Sequence, residues 1–352
     1  MMPNLDRVVR NGPWTLGDRP GHREGTGRAT IRGAARGRAT MTIAKGLIMR
    51  VFVTGPTGWV GSVVVRELLS SGHQVVGLAR SDKSAAAATA AGAEVIRGSL
   101  EDTDGLRAAA AGAVGVIHTG YIHDFSPTGD PAAAAAVDGR AIAAFGDALA
   151  GTGKPLVVAS GLPQGPAGGV STEAVRLVNP AHPRVSEPAA LAVAERGVRA
   201  SVVRLPPSVH GEGDYWFIPI FIGIARKTGV SAYIGDGANV WPAVHRVDAA
   251  RLFRIALEQA PAGTLLNAVA DEGVPFRAIA EVIGRHLGVP AKSIAAEDAG
   301  EQFGTLAGFA ATDLPASSAV TRERFGWRPT EPGLIADLDE GHYFTVRDAE
   351  GE

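Results

Sequence analysis

The chain contains no cysteine. Disulfides, thiolate nucleophiles and cysteine-based metal sites are thereby excluded, and a reducing compartment, the cytoplasm, is the expectation. No apolar run approaches the roughly 20 residues of a membrane-spanning helix, so no membrane association is expected. Charge of one sign is not in excess either, since 34 Lys/Arg face 36 Asp/Glu for a net −2. That balance hides an uneven distribution. Residues 1–50 hold ten Lys/Arg against three acids, +7, which leaves −9 on the other 302 residues. An acidic body is a poor partner for nucleic acid, and none is expected. His, Asp and Glu nowhere recur at metal-ligand spacing, so no metal is expected.

What is present is an ordinary globular composition, 45% hydrophobic over 352 residues, long enough to bury a large core. Residues 1–48 stand apart. They are rich in Gly and Arg and lack sustained periodicity, which predicts a disordered extension. Met41 and Met49 are alternative starts in this reading, since the first strand opens directly after Met49. Residues 346–352 read as a short tail.

From Arg50 onward, short apolar β-branched runs alternate with helical stretches. Strands are predicted at 49–54, 74–78, 94–96, 114–118, 156–159 and 200–204, and helices at 60–69, 85–91, 102–111, 132–150 and 187–196. The runs are continuously apolar, as strands covered on both faces must be. Such alternation predicts parallel βαβ units with right-handed crossovers: an α/β, doubly wound Rossmann sheet over 49–205. Beyond Pro206-Pro207, glycine and proline become dense and helical periodicity returns only at 247–259 and 276–287. Residues 206–345 are therefore predicted to form a smaller C-terminal substrate-binding lobe.

Between the first strand and helix lies Thr54-Gly55-Pro56-Thr57-Gly58-Trp59-Val60-Gly61. Gly55 permits a tight turn, Gly58 lets backbone approach a pyrophosphate, and Gly61 lets helix and strand pack closely. The helix N-terminus offers unpaired N–H groups to the phosphates. Glycine spacing alone is weak in a chain with 46 glycines; placed between this strand and this helix, it predicts dinucleotide binding. Cofactor choice is decided near the end of the second strand, where an NAD site usually carries an acid for the ribose 2′-hydroxyl. Here Arg80 and Ser81 stand there, with Asp82 and Lys83 just beyond. A guanidinium suits a 2′-phosphate, so NADP(H) is favoured, with NAD(H) as the alternative.

These segments resemble the short-chain dehydrogenase/reductase superfamily, in its extended and atypical branches, the NAD-dependent epimerase/dehydratase group. The resemblance spans about residues 49–345. It rests on the glycine turn and on Gly98-Ser99-Leu100-Glu101-Asp102, where the family commonly has an Asp-Leu pair beside adenine. Val116-Ile117-His118-Thr119-Gly120, Arg204-Leu205-Pro206-Pro207-Ser208-Val209-His210-Gly211, Ile234-Gly235-Asp236-Gly237 and Val244-His245-Arg246-Val247-Asp248 add to it. It implies that Thr57, Trp59, Val60, Ser99, Leu100, Thr119, Gly120 and Pro206 also line the cofactor. Similar proteins commonly dimerise through helices, so a homodimer is a further expectation.

The catalytic Tyr-x-x-x-Lys pair of that family is missing, because no tyrosine lies between Tyr121 and Tyr215. Ser160 matches the family's carbonyl-orienting serine. His182 and Arg184 stand where the pair should be, and are the candidates for a substituted acid/base and a ribose or phosphate clamp. Tyr121, His123 and Asp124 follow the fourth strand, at the sheet end where α/β proteins bind ligands. With His210 and Tyr215 they are candidates for the lining of a small-molecule substrate site. The expectation is an NAD(P)-dependent oxidoreductase of a small carbonyl or alcohol. A cofactor-recycling epimerase/dehydratase and a non-catalytic dinucleotide sensor are the alternatives.

Overall fold

In the computed structural model, which describes residues 48–123, 130–166, 169–176 and 184–345, the predicted alternation is realised as strands and helices in the predicted order. The strands are β1 (Arg50–Thr54), β2 (Gln74–Ala79), β3 (Glu94–Arg97), β4 (Gly115–His118), β5 (Pro155–Gly161) and β6 (Arg199–Leu205). Between them run α1 (Gly61–Ser70), α2 (Asp82–Ala90), α3 (Thr103–Ala111), α4 (Pro131–Leu149) and α5 (Ser186–Glu195). Most of residues 1–48 lie outside the described residues, as do 346–352.

Local chemistry sets the boundaries. The α2 helix begins at Asp82, three residues before the predicted start. The Ser81 side chain caps it by accepting from the Ser84 amide (3.2 Å), and the Ser84 hydroxyl accepts from the Ser81 amide (3.1 Å). The α4 helix starts where Asp130 accepts from the Ala132 and Ala133 amides, with Pro131 at the first helical position. Gly146 lets α4 lie against α5, since a Cβ there would come within 2.8 Å of Val193.

The lobe supplies six more strands: β7 (Ser208–His210), β8 (Ser231–Ile234), β9 (Val240–His245), β10 (Thr264–Asn267), β11 (Asp271–Pro275) and β12 (Ala291–Ile294). Its principal helices are α6 (Phe217–Thr228), α7 (Arg246–Gln259) and α8 (Phe276–Leu287). Neither β10 nor α6 is legible beforehand. The α6 helix is apolar on most sides and carries Pro219 in its first turn, where proline is tolerated.

Seven parallel strands form the main sheet in the order β10-β6-β5-β4-β1-β2-β3. The direction of winding reverses between β1 and β4, which opens a crevice at their carboxyl ends. One apolar cluster joins the sheet to α1 and α7, and a second joins it to α3, α4 and α5. The chain thus returns from the lobe to the sheet: α7 and β10, within 206–345, pack as part of the nucleotide-binding layer. A third cluster, around Trp241, Phe221 and Phe276, is the lobe's own core.

One buried ion pair ties these parts together. Arg204 on β6 meets Glu187 on α5 through two 2.7 Å contacts, with the two side chains 0% and 1% exposed. The same guanidinium donates to the carbonyls of Thr172 and Val175, which anchors the segment after β5. Removing one member of such a pair strands the other charge in the interior. Glu187→Ala is expected to lower the unfolding free energy by about 3–5 kcal/mol, measured by urea denaturation; a loss under about 1 kcal/mol would refute the keystone role.

Candidate active site

The crevice is built on a close backbone approach. Gly55 has φ +66°, and a Cβ on it would sit 2.9 Å from both the amide nitrogen and the Cα of Gly120. Gly55 leaves no room for another residue, and a Cβ on Gly120 would press on the Thr54 hydroxyl at 3.0 Å and the Gly55 nitrogen at 3.2 Å. Gly61 is tighter still: a Cβ there would overlap the Gly55 carbonyl oxygen at 1.9 Å. Gly58 differs, with the Gly55 oxygen at 3.3 Å as its one neighbour. The middle of the turn therefore faces open space. No side chain caps the start of α1; the Ser62 and Val63 amides donate to the Gly58 and Val60 carbonyls (3.0 and 3.2 Å), which leaves the amides of Trp59, Val60 and Gly61 for water or a ligand. A diphosphate fits this cradle, and Gly55, Thr57, Gly58, Val60 and Gly61 are all placed on it.

Behind the turn runs a buried polar line that sequence reasoning did not find. The Thr54 hydroxyl accepts from the Gly120 amide (3.1 Å) and shares a 2.7 Å bond with His118 Nδ1. His118 Nε2 meets Asp138 Oδ1 at 2.9 Å, and Asp138 Oδ2 accepts from the Ser186 hydroxyl at 2.7 Å. An ionised carboxylate only accepts, which assigns the His118 proton to Nε2 and leaves Nδ1 to accept from Thr54. Thr119 adds a bond from its hydroxyl to the Thr54 carbonyl (2.8 Å). The clue was Asp138 itself, the one acid in the central turns of an Ala-rich helix.

Trp59 does more than occupy the turn. Its indole donates to the Val209 carbonyl on β7 (2.7 Å), and the Arg246 guanidinium stacks 3.6 Å above its ring while donating to Ser62 (2.8 Å). The turn is thereby fastened to the lobe. Arg246 was missed beforehand, although it lies in the Val244–Asp248 stretch that carried the resemblance.

At the adenosine end, Arg80 is exposed beyond β2 and has no partner among the described residues, and Ser81 caps α2. Asp82 is engaged by Arg97, at 2.7 Å, and Arg97 also donates to the Ser81 carbonyl. Ser99 and Leu100 are half-buried after β3. Pro206 is buried directly after β6.

At the other end of the crevice β4 and β5 run parallel, with His118 opposite Val158. Gly120 lies two residues past the end of β4, and Ser160 lies two residues past Val158 near the end of β5, so both belong to the carboxyl edge of the sheet. The Ser160 hydroxyl is buried and meets no partner among the described residues. Tyr121 and His123 follow β4. The Arg184 guanidinium lies 4.1 Å above the Tyr121 ring and 3.4 Å from His123 Nε2. His123 in turn packs edge-on against Trp216, which continues through Tyr215, 56% exposed, to Trp59. Tyr121, His123, Arg184 and Tyr215 thus belong to one aromatic and basic wall. Asp124 and His182 lie outside the described residues.

His210 is a correction. Its ring is 0% exposed, and Nδ1 bonds Asp337 at 2.8 Å. Pairing of β7 with β9 turns it inward beside His245, 5.4 Å between rings. It is a core histidine rather than an open lining group. Asp337, Glu340 and His342 gather their ligand atoms within 4.8 Å of one another, but the Asp337 oxygens already accept from His210 and His342. Among the described residues no helix is long and apolar enough to cross a membrane.

Comparison with known proteins agrees with this geometry. Residues 55–163 match the NAD(P)H-binding family. The chain is 47% identical to an uncharacterized protein of Schizosaccharomyces pombe over 298 residues, 84% of this chain and 100% of that one. It is 42% identical to an uncharacterized protein of Saccharomyces cerevisiae over 294 residues, 82% and 98% of the two chains. In fold it is similar to a dTDP-glucose 4,6-dehydratase of Streptomyces venezuelae crystallised with NAD, with TM-score 0.67 and 20% identity over 85% of this chain and 98% of that one.

His123 keeps one edge in solvent, yet the protein packed around the ring and then the Arg184 charge hold its protonated form down, to a pKa of about 4. A folded-state value below the unfolded 6.5 means that His123 favours folding fully above pH 6.5 and that this contribution is lost as pH falls towards 4. Histidine NMR titration is expected to show one imidazole, absent in His123→Gln, that stays neutral down to about pH 5. A midpoint near 6.5 would contradict this environment.

Proposed function

We propose that this chain, which belongs to one family with the two yeast proteins and matches the NAD(P)H-binding family over residues 55–163, is an NADP(H)-dependent reductase of a small carbonyl compound. The observation that carries this reading is the Gly55–Gly61 cradle, open at Gly58, with a buried unpartnered hydroxyl, Ser160, at the same sheet edge. A dinucleotide laid from the Arg80 end across the turn brings its nicotinamide towards Ser160 and the Tyr121–Arg184 wall. When bound, the nicotinamide supplies the hydride.

The chain's own residues do the rest. The amides of Trp59, Val60 and Gly61, which meet no carbonyl, hold the diphosphate. Arg80 grips the 2′-phosphate, while the Asp82 carboxylate beside it in sequence is paired with Arg97. Ser160 donates a hydrogen bond that orients the substrate carbonyl, which gives its buried hydroxyl the partner it lacks. The rings of Tyr121, His123, Trp216 and Tyr215 form an apolar-faced wall suited to a small organic substrate.

Titration calorimetry with NADPH and NADH tests the cofactor assignment. NADPH is expected to bind more tightly, and Arg80→Ala is expected to weaken NADPH by about tenfold while leaving NADH unchanged, as for loss of one charged hydrogen-bond partner. Tenfold tighter NADH binding would overturn the assignment. Nucleotide that stays bound through purification, with no net turnover of aldehydes or ketones, would favour a cofactor-recycling epimerase or dehydratase instead.

A further inference from the structure

The reaction needs a proton donor, and the pair that supplies it elsewhere in the family is absent from this sequence. We infer that Tyr121, at the end of β4 and beneath the Arg184 guanidinium, delivers the proton to the substrate oxygen, and that Arg184 positions it and stabilises its anion. This rests on the reductase reading above.

The inference starts from the four tyrosines in the sequence. Tyr343 is held by the Gly211 amide (2.9 Å) and by Asp214, and the Tyr233 ring lies buried in the lobe core with Arg277 over it. Tyr215 packs against Trp59 at the opposite end of the wall. Tyr121 alone among them follows a strand of the main sheet at the nucleotide crevice, three residues past the end of β4. Its ring lies 4.1 Å below the Arg184 guanidinium, and His123 completes a three-residue cluster with centroids 4.9 Å from the Tyr121 ring.

The charges around it suit the task. Burial raises the phenol above its ordinary value, Arg184 pulls it back down, and Asp138 pushes it up again. The phenol therefore carries its proton at neutral pH. His123 is held as the neutral imidazole, whose remaining N–H is a far weaker acid than an imidazolium. A bound reduced nicotinamide would supply hydride to the substrate carbon, and the C=O π pair would move onto oxygen. That oxygen takes the Tyr121 proton, which yields the alcohol. The phenolate left beside Arg184 recovers a proton from water, and no further oxidant or reductant is needed.

Two measurements test it. Tyr121→Phe is expected to keep NADPH affinity within about twofold by calorimetry while kcat for aldehyde reduction falls at least about a hundredfold, the usual scale of a lost general acid. Retention of a third or more of wild-type kcat would overturn the proposal. The second readout needs no turnover. The phenolate absorbance that is lost in Tyr121→Phe should titrate at higher pH in Arg184→Gln, because the cation that favours the anion is gone. An unchanged midpoint would overturn the pairing even if the substrate were of another class; NADPH that fails to bind the wild-type chain at all would instead sink the reductase reading, with the titration still deciding the pair.

Discussion

The contact of Gly55 with Gly120 sets the form of the whole site. Two strand ends come so close that Gly55 has no room for a Cβ and Gly120 little, and this closes the floor of the crevice just where the sheet reverses direction. The carbonyl of Gly55 is then forced against Gly61, so the first turn of α1 must rise directly from the loop. A bend held this tightly from below leaves its upper side, at Gly58, free for a ligand. Rigidity on one side and open space on the other follow from these four glycines.

Polar chemistry in the interior keeps the two strand ends there. Thr54, His118, Asp138 and Ser186 link β1, β4, α4 and α5 in one hydrogen-bonded line. Arg204 and Glu187 fix the other flank of α5 to β6. Because both ties fall on the first two residues of α5, Ser186 and Glu187, they fix the start of the helix directly after Arg184. Arg184 then orders Tyr121 and His123 by stacking and hydrogen bonding. Structure in the core is thus transmitted to the wall by side chains that are themselves sealed from solvent.

The parallel sheet and the glycine turn were legible because their signals are local and repeated: continuous apolar runs for strands covered on both faces, and a strand–turn–helix context for the glycines. The α2 boundary was not, because a Ser-Ser capping box is weaker punctuation than the following alanine run. Nor was α6, whose near-continuous apolar face masks its 3.6 periodicity. At the site, sequence order ranked His210 with the open residues, and pairing of β7 with β9 buried it. Arg246 and Asp138 were overlooked because their partners, Trp59 and His118, are distant in the chain. Contacts of that range carry no periodic mark.

Gly58 offers the most direct trial of the account, because at that position fold and function separate. A methyl there meets only the Gly55 oxygen, at 3.3 Å, so Gly58→Ala is expected to unfold within about 1 kcal/mol of the wild type. The same methyl projects into the space assigned to the diphosphate. Nucleotide titration should therefore show at least tenfold weaker NADPH binding to a fully folded variant. Undiminished affinity in that variant would mean that the diphosphate does not lie on the glycine turn, and the placement of every other site residue would go with it.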